Sequence, residues 1–443
     1  MIDIFGQNVA TVEGKTWQRH RRITATPFNE HNNKLVWTET RRQSHDMLKW
    51  WLSHQSPGLK SMAKDTRALS LNVLAYVGYR TPCPFDGASN LPETLHATSF
   101  RDSLADILDN AMLTLAIPPR ILRSSFVPKK WSRVGSAITA FRSHMMNLFN
   151  EETRLCSQGK QGTGSLMTSI VGASEQACRE AAQRKKKPEI GQLQPKVEGL
   201  SVDEILGNIF VYYFAGHDTT AAVFTYAILL LAANPEYQDW IAEELQHFLT
   251  TEDSETWSYE CAFPKLQRCL ALLLETIRLY DPVPGLPKWT GESDRCLKVK
   301  GQTLVIPART MIIPSLNALQ THPRYWGEDS LVWRPTRWII ASNENSTPGS
   351  KIEEETMFVP PKGTYFPWSD GQRNCPGKKF SKVEFVAAMA TLFRDHRVHP
   401  VLAPGENQHQ ARERVLDVVN DTTLGLLRQV RNPNNVSLAW DRR

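Results

Sequence analysis

The sequence predicts a mainly α-helical fold with small peripheral β-sheets, built as one large domain over residues 1–443. Apolar residues recur with helical spacing through most of the chain, and short strand patterns are concentrated late in it. Because 41% of the residues are hydrophobic, the chain can form a large core. The absence of internal repeats and of obvious linkers favours a single domain.

Two of the predicted helices carry motifs. The first begins at a capping box, Ser201-Val-Asp-Glu204, and extends to about Ala233. At 1.5 Å per residue this helix is roughly 48 Å long, enough to cross a domain. The second covers Leu266–Tyr280 and ends before Pro282, which cannot continue a helix.

Strands and loops are predicted from turn residues and polarity. Leu297–Val299 and Thr303–Ile306 form a predicted hairpin, and Thr310–Ile313 forms a further predicted strand. Two polar stretches, Gln183–Gly199 and Ser342–Gly363, predict solvated loops, the second leading into a cysteine-containing segment.

One cysteine lies where a metal-ligating thiolate is favoured. Cys375 belongs to Trp368-Ser-Asp-Gly-Gln-Arg-Asn-Cys-Pro-Gly377, and a helical pattern follows at once. Gly371 and Gly377 allow a tight turn that directs N–H groups towards the sulfur, and the helix N-terminus favours thiolate over thiol. Arg373 can reach a carboxylate with its planar guanidinium. A haem ligand is therefore predicted; the alternative is a lone buried cysteine on a glycine-rich turn.

These residues resemble the cysteine signature of the cytochrome P-450 family of haem-thiolate monooxygenases, F-x-x-G-x-R-x-C-x-G. Trp368 stands where that phenylalanine usually lies, a change that some fungal members share. The resemblance implies that Cys375 is the axial ligand of the iron of haem b. It also implies that Trp368 and Gly377 belong to the cofactor site and that Arg373 binds a haem propionate.

Two further segments match family motifs. Glu275-Thr-Ile-Arg278 lies on the second predicted helix, where i,i+3 spacing brings the two charges to one face. Taken alone, such a pair is usually a solvated surface pair worth little. The resemblance implies that Arg337, in Trp333-Arg-Pro-Thr-Arg337-Trp338, completes a buried structural triad that holds the cysteine segment.

A polar cluster, Ala215-Gly-His-Asp-Thr-Thr220, interrupts the long apolar helix and is costly there unless it is used. The resemblance implies that Asp218 relays protons from solvent and that Thr219 guides them to dioxygen. His217 occupies the variable position and is interpreted as a helix-flank residue. The alternative is a transmembrane helix over residues 209–232, which His217 and Asp218 oppose.

Three more residues are implied in haem binding. Trp17 and Arg21 lie on one helix face at i,i+4 and match the family's W-x-x-x-R motif, whose side chains bind a propionate. Lys288 stands where the family often has a propionate-binding arginine, and it keeps the charge but loses the bidentate geometry.

The resemblance also implies a distal substrate pocket. Its residues are Phe210, Phe214, Ala215, Val283, Leu286 and Leu424, with a lid around Ile107–Ile117. The set is almost wholly apolar, which suits a lipophilic substrate. For each residue the alternative is ordinary core packing.

The implied activity is insertion of one oxygen atom of dioxygen into a lipophilic small molecule, such as a fungal terpenoid, polyketide or alkaloid. Electrons would come from NADPH through NADPH–cytochrome P-450 reductase. One alternative is a haem-thiolate isomerase or dehydratase. The other is a truncated, non-catalytic haem protein, because Trp17 comes almost at once where family members have a membrane anchor and several sheet strands. Loss of those strands is expected to leave exposed sheet edges.

A full-length form is expected on the cytosolic face of the endoplasmic reticulum membrane, although this chain shows no transmembrane anchor by sequence. The net charge of +6 has no accompanying nucleic-acid motif, so no nucleic-acid partner is predicted. A basic face for the reductase is predicted instead. Its residues are Arg19, Arg22, Lys378, Lys379 and Lys382. Seven scattered cysteines without a C-x-x-C pair predict a reducing compartment and no disulfide framework.

Overall fold

The computed structural model describes residues 2–80, 83–85, 87, 100–122, 124, 126–158, 162, 164–185, 199–250, 255–341 and 350–443. These residues are mostly helical with small antiparallel sheets, which confirms the predicted fold class. Two compact units are present. The first unit contains Met1–Ala221, Ser258–Glu260 and Lys379–Leu392, and the second contains Ala222–Trp257, Cys261–Lys378 and Phe393–Arg443.

The helices are numbered in chain order. The first nine are α1 (Gly14–Thr24), α2 (Glu30–His54), α3 (Met62–Tyr79), α4 (Phe100–Asp109), α5 (Ala111–Ala116), α6 (Pro119–Leu122), α7 (Lys129–Ser157), α8 (Leu166–Lys185) and α9 (Val202–Ala233). The others are α10 (Pro235–Phe248), α11 (Tyr259–Ala262), α12 (Gln267–Leu279), α13 (Leu316–Gln320), α14 (Pro323–Trp326), α15 (Ser350–Glu353), α16 (Lys378–Phe393) and α17 (Gln408–Asn420).

The strands all lie in the second unit and pair in twos. They are β1 (Lys288–Trp289), β2 (Arg295–Val299), β3 (Gln302–Ile306), β4 (Met311–Ile312), β5 (Ile339–Ile340), β6 (Thr356–Met357), β7 (His396–Pro400), β8 (Thr422–Leu424), β9 (Arg428–Val430) and β10 (Leu438–Arg442). Within the described residues the antiparallel pairs are β1–β4, β2–β3, β5–β6, β7–β10 and β8–β9. The predicted hairpin is confirmed as β2–β3, with Lys300 and Gly301 at positive φ in its turn.

The long helix α9 starts and packs as its sequence dictates. The predicted capping box is confirmed, because the Glu204 N–H donates to Ser201 Oγ at 3.2 Å and the Ser201 N–H donates to Glu204 Oε2 at 2.8 Å. Gly207 lets the chain at Gly6 approach, since a Cβ at Gly207 would lie 2.3 Å from the Gly6 carbonyl oxygen. The Val9 N–H then donates to Asn208 Oδ1 at 2.8 Å. In the first unit, residues near the N-terminus are thereby held against α9.

The apolar length of α9 reflects burial in protein. Among the helices described, α9 is long and apolar enough to cross a membrane, but 72% of its apolar window is buried inside the structure. This supports a core helix over the transmembrane alternative.

Both predicted loops contain regular structure. Helix α8 extends to Lys185, so the start of the Gln183–Gly199 stretch is helical, and residues 186–198 lie outside the described residues. The Ser342–Gly363 stretch contains α15 and β6 after residues 342–349, which also lie outside. Short elements of this kind depend on tertiary pairing, here of β6 with β5, and polarity does not reveal them. None of the seven cysteines, all of which are described, forms a disulfide.

Candidate functional site

The cysteine segment of the second unit forms a tight turn immediately before α16. The Cys375 N–H donates to the Trp368 carbonyl oxygen at 2.8 Å, and the Asn374 N–H donates to that of Gly371 at 3.2 Å. Gly371 has a φ of 78°, which favours glycine. The turn leaves Cys375 exposed, three residues before the first residue of α16.

The open side of this turn fits a flat, anionic ring system. A Cβ built on Gly371 would meet no described atom within 4 Å. Lys288, which the family resemblance predicts to bind a propionate, lies beside the turn, with its Nζ donating to Ser369 Oγ at 3.4 Å. The Lys378 ammonium lies 5.7 Å from the centre of the Trp368 ring, and Arg373 is exposed on the turn itself. The side chains at this turn that could contact a cofactor are therefore one thiol and several cations.

A fully buried ion network lies in the same unit. Arg278 donates to both carboxylate oxygens of Glu275, at 2.8 and 2.9 Å, and Arg337 donates to Glu275 Oε1 at 2.9 Å. The Trp338 indole N–H donates to Oε2 at 2.9 Å, and the Arg334 backbone N–H donates to Oε1 at 2.8 Å. The structure therefore brings together the three residues that the sequence motifs named.

This network is linked to the cysteine segment through aromatic side chains. The Tyr365 ring lies 4.7 Å from that of Trp338, and its hydroxyl donates to the Leu274 carbonyl oxygen at 2.9 Å. Trp368 packs against the same buried cluster. Tyr365 and Trp338 were missed as site residues by sequence reasoning. The available sequence signal was the position of Tyr365 three residues before Trp368. That spacing does not reveal that the Tyr365 hydroxyl bonds to α12.

In the first unit, the polar cluster of α9 is held by an arginine from α3. Arg67 Nε and Nη2 donate to the two oxygens of Asp218 at 2.6 and 3.1 Å, and Arg67 also pairs with Asp109. Thr219 Oγ1 donates to the Ala215 carbonyl oxygen at 2.8 Å, so the hydroxyl oxygen keeps its acceptor capacity. Arg67 lies about 150 positions from Asp218 in the chain, and no sequence motif pointed to it.

His217 is a buried residue, which corrects its interpretation as a helix-flank residue. Its Nε2 lies 3.1 Å from the Arg67 carbonyl oxygen and its Nδ1 lies 3.1 Å from Asp218 Oδ1. Burial lowers the pKa of His217 to about 4, so the ring is neutral at physiological pH. Burial acts to raise the pKa of Asp218, but the His217 ring and the Arg67 guanidinium outweigh it and lower that pKa below its usual value. Asp218 is therefore ionised at neutral pH.

Helix α1 of the first unit carries Trp17 and Arg21 one turn apart. Trp17 is buried and Arg21 is half-buried. The helix is tied to α9 by the buried His20, whose Nε2 lies 3.1 Å from Glu204 Oε1 and whose Nδ1 lies 3.0 Å from Asn208 Nδ2. Arg19, predicted on an open basic face, instead pairs with Glu204, and Lys379 pairs with Glu30 at 2.7 Å.

The predicted pocket residues have different environments. In the first unit, Phe210 is 1% exposed and its ring lies 4.9 Å from that of Phe5, so it is a core residue there. Phe214 is half-buried and Ala215 is exposed. In the second unit, Val283 is half-buried and Leu286 and Leu424 are exposed. The predicted lid, Ile107–Ile117, comprises the end of α4, all of α5 and the residue after it.

The exposed Cys375 lies just before a helix N-terminus and near cationic side chains, an arrangement that suits a thiolate ligand of haem iron. A family model described as cytochrome P450 matches residues 3–423. The chain therefore belongs to the cytochrome P450 family, and it is a haem-thiolate monooxygenase.

Curated relatives agree with this assignment. A phomenoic acid biosynthesis cluster cytochrome P450 monooxygenase of Leptosphaeria maculans is 30% identical over 93% of this chain and 71% of its own length. A cytochrome P450 monooxygenase of Arthrobotrys oligospora is 28% identical over 97% of this chain and 76% of its own. The Penicillium rubens cytochrome P450 monooxygenase prx9 is 28% identical over 97% and 74%.

Proposed function

We propose that this protein inserts one atom of dioxygen into a lipophilic secondary metabolite of the terpenoid, polyketide or alkaloid type. NADPH–cytochrome P-450 reductase supplies the electrons. The observation that carries the proposal is the exposed Cys375 thiol on a tight turn at the start of α16. A relative from a phomenoic acid biosynthesis cluster supports the substrate class.

The residues of the haem site are assigned by family resemblance. Cys375 is the axial ligand, and Trp368 and Gly377 shape its turn. The propionates are bound by Trp17, Arg21, Lys288 and Arg373. All four carry N–H donors, and the last three are also positively charged. When bound, haem supplies a thiolate-ligated iron that activates dioxygen for O–O cleavage.

Proton delivery is assigned to Asp218 and Thr219. Asp218 is ionised and half-exposed, so it can take a proton from water and pass it inward. The Thr219 hydroxyl donates its own hydrogen to the Ala215 carbonyl oxygen. Its oxygen can therefore accept a hydrogen bond from the group that carries the proton. Arg67 fixes the Asp218 carboxylate during this exchange.

The substrate is assigned to the apolar side chains that remain open within each unit. These are Phe214, Ala215, Val283, Leu286 and Leu424. These side chains are apolar, which suits contact with a lipophilic molecule. Phe210 is left out of the contact set because its ring is part of the core of the first unit. We assign the protein to the cytosolic face of the endoplasmic reticulum membrane, where lipophilic substrate and reductase are both available.

The first test is the carbon monoxide difference spectrum of the dithionite-reduced protein, produced with a haem precursor. We expect the strongly red-shifted Soret band of a thiolate–carbonyl complex, abolished by Cys375→Ala. Cys296→Ala, another exposed cysteine, is the matched control and should keep the band. A band unaffected by Cys375→Ala would reject the assigned ligand. No band in the parent protein would favour the alternative of a non-catalytic protein.

The second test separates a monooxygenase from an isomerase or dehydratase. With reductase and a substrate found by screening, product formation should require NADPH and dioxygen. Thr219→Ala should uncouple NADPH consumption from product formation, so that NADPH is consumed while peroxide is released in place of product. Full coupling in that variant would contradict the relay, and product formed without NADPH would indicate the isomerase or dehydratase.

A further inference from the structure

Helix α1 of the first unit buries few apolar side chains. Its buried residues are Trp17, His20, Ile23 and Thr24, of which two are polar. The side chain of Glu13, at the N-cap, makes no capping hydrogen bond. Because a short helix is held in place by its tertiary contacts and α1 has little apolar surface to bury, hydrogen bonds to its neighbours have a large share in fixing its orientation.

These hydrogen bonds join one face of α1 to one face of α9. Glu204, Asn208 and Tyr212 follow one another at intervals of four residues and therefore lie along one side of α9. The His20 ring contacts the first two, and the Tyr212 hydroxyl donates to the Thr24 carbonyl oxygen. His20 and Thr24 are also four residues apart, so the contacts run along both helices.

The orientation of the Asn208 amide decides which nitrogen of His20 carries a hydrogen. Asn208 Oδ1 accepts the Val9 N–H at 2.8 Å, and Asn208 Nδ2 donates to the Glu204 carbonyl oxygen at 2.6 Å. A reversed amide would place two donors together and two acceptors together, so this orientation is fixed. Asn208 Nδ2 lies 3.0 Å from His20 Nδ1. Because an amide nitrogen only donates, His20 Nδ1 must be an acceptor without a hydrogen.

The other ring nitrogen of His20 must then be the donor. His20 Nε2 lies 3.1 Å from Glu204 Oε1, and a carboxylate oxygen only accepts. Arg19 and the Ser201 N–H also donate to this carboxylate and hold it in place. Burial agrees with a neutral ring, since it lowers the pKa of His20 against the opposing influence of the Glu204 carboxylate. His20 is therefore a neutral Nε2–H tautomer with both ring nitrogens bonded to α9.

The position of His20 on α1 connects these bonds to two of the proposed haem contacts. Successive residues of an α-helix lie about 100° apart around its axis. Arg21 is therefore about 100° from His20, and Trp17, on the preceding turn, is about 60° from it. Rotation of α1 about its axis would break the bonds of His20 and would also turn Trp17 and Arg21. The directions of these two side chains are thus set by the bonds of His20.

We propose that His20, as the Nε2–H tautomer, is a positioning residue that holds α1 in the rotation at which Trp17 and Arg21 reach the haem propionates. It acts through these two residues and does not itself contact haem. The proposal rests on the proposed function for the roles of Trp17 and Arg21, whereas the tautomer does not. Loss of the His20 bonds should therefore weaken haem retention more than loss of an equally buried bond elsewhere in the first unit.

The test compares two substitutions of His20. His20→Gln keeps one acceptor and one donor on a planar group, so it can still bond to Asn208 and Glu204. His20→Leu keeps a similar volume and removes both bonds. Asn72→Leu is the matched control, because Asn72 is also fully buried and its Nδ2 donates to Gln43 Oε1 at 2.9 Å, between α3 and α2.

The first measurement is the rate at which the haem-loaded protein releases haem to an excess of apomyoglobin. We expect release about tenfold faster than in the parent for His20→Leu and within about threefold of the parent for His20→Gln, because one or two hydrogen bonds are lost only in the former. Asn72→Leu should release haem at the parent rate.

Urea unfolding of each variant gives the stability at which the release rates are compared. Equally fast release in His20→Leu and Asn72→Leu at similar stability would overturn the positioning role, as would a parental rate in His20→Leu. If His20→Leu does not fold, Asn208→Ala, which removes the donor to His20 Nδ1, takes its place.

Double variants show whether His20 acts through the proposed propionate contacts. His20→Leu is combined with Arg21→Ala and, separately, with Trp17→Phe, and haem release is measured again. We expect the combined effects to be smaller than the sum of the single effects in free energy, because the first change has already weakened the contact that the second removes. Additive effects in both pairs would overturn the proposed route.

The second measurement reads the tautomer by nitrogen NMR of isotopically labelled histidine at neutral pH. The reduced, carbon monoxide-bound protein is diamagnetic, and the signals of His20 are those absent from His20→Gln. We expect a hydrogen on Nε2 and none on Nδ1; a hydrogen on Nδ1 would overturn the proposal. Failure to load haem, or unchanged release in Arg21→Ala, would instead count against the proposed function, and the tautomer is then read in the protein as purified.

Discussion

Glu275 in the second unit and Asp218 in the first unit are both paired with arginine, yet their surroundings differ. Glu275 and Arg278 are 0% exposed, whereas the side chains of Asp218 and Arg67 are 31% and 35% exposed. Glu275 receives five hydrogen bonds and has no capacity left for another partner. Asp218 shares its arginine with Asp109 and remains in contact with solvent.

The difference shows that burial decides whether a charged pair has a structural role or can exchange protons with solvent. A buried pair gains little net stability by being charged, but removing one partner leaves the other unpaired at high cost. A half-open pair is worth less and can exchange protons with water. Glu275 is therefore suited to hold the segments around the cysteine turn, and Asp218 is suited to deliver protons.

The largest effect is expected when Glu275 is replaced by glutamine. The substitution keeps the shape of the side chain but leaves Arg278 and Arg337 without their shared anion. We expect a loss of about 3–5 kcal/mol in the free energy of unfolding, measured with urea. Glu413→Gln, in an exposed pair with Arg412, is the control and should cost less than about 1 kcal/mol. Equal losses in the two variants would contradict the distinction by burial.

Asp218→Asn should leave stability nearly unchanged and slow turnover. We expect a decrease of about 10²–10⁴-fold in product formation with reductase, the usual effect of losing a positioned proton-transfer group. Because the pKa of Asp218 is lowered, the parent residue stays ionised between about pH 6 and 8, and the decrease should be constant over that range. Asp109→Asn, which removes the other partner of Arg67, is the matched control and should keep most of the activity. A large loss of product formation in both variants would indicate that turnover depends on the position of Arg67 and not on proton transfer by Asp218.

Glu384 on α16 extends the comparison, because it is as buried as Glu275 but no cation acts on it among the described residues. Neither of its carboxylate oxygens has a hydrogen-bond partner of ordinary geometry among the described residues. Burial raises the pKa of Glu384 to about 8, and only the Ser70 hydroxyl acts against this. The folded protein therefore holds a proton that the unfolded chain releases near pH 4.5, so stability is lost as pH rises from there through about 8.

Glu384→Gln should relieve this loss. We expect the variant to gain about 2–4 kcal/mol relative to the parent by pH 8 and almost nothing near pH 4, measured by urea unfolding across that range. Glu236→Gln, at an exposed position of α10, should show no such trend. A gain independent of pH would mean that the carboxyl is not protonated in the folded protein.

The smallest effect is expected at the proposed reductase surface. Lys379 already pairs with Glu30, and Lys378 lies over the Trp368 ring, so each contributes less free charge than the sequence alone predicts. Replacing both by glutamate should slow reduction of the haem by about two- to tenfold at low salt, with the difference fading at high salt. Lys298→Glu, on the exposed strand β2, is the control. Unchanged reduction kinetics at low salt would reject this surface.

Local sequence determined a large part of this protein. The family, the proposed ligand Cys375, the capped start of α9 and the β2–β3 hairpin follow from residues close together in the chain, because helices, caps and turns are governed by neighbours within a few positions. Motif order extended this to Glu275, Arg278 and Arg337, which lie in two separate segments.

Tertiary structure alone decided which side chains that are distant in the chain form ion pairs, hydrogen bonds or ring contacts. Arg67 as the partner of Asp218, the contact of the buried His217 with the Arg67 carbonyl and the packing of Phe210 against Phe5 each join residues that are distant in the chain. Nothing in local spacing specifies such pairs, since they depend on how the elements pack. The protonation states of the buried carboxyls depend on the same packing, because burial and neighbouring charges set them.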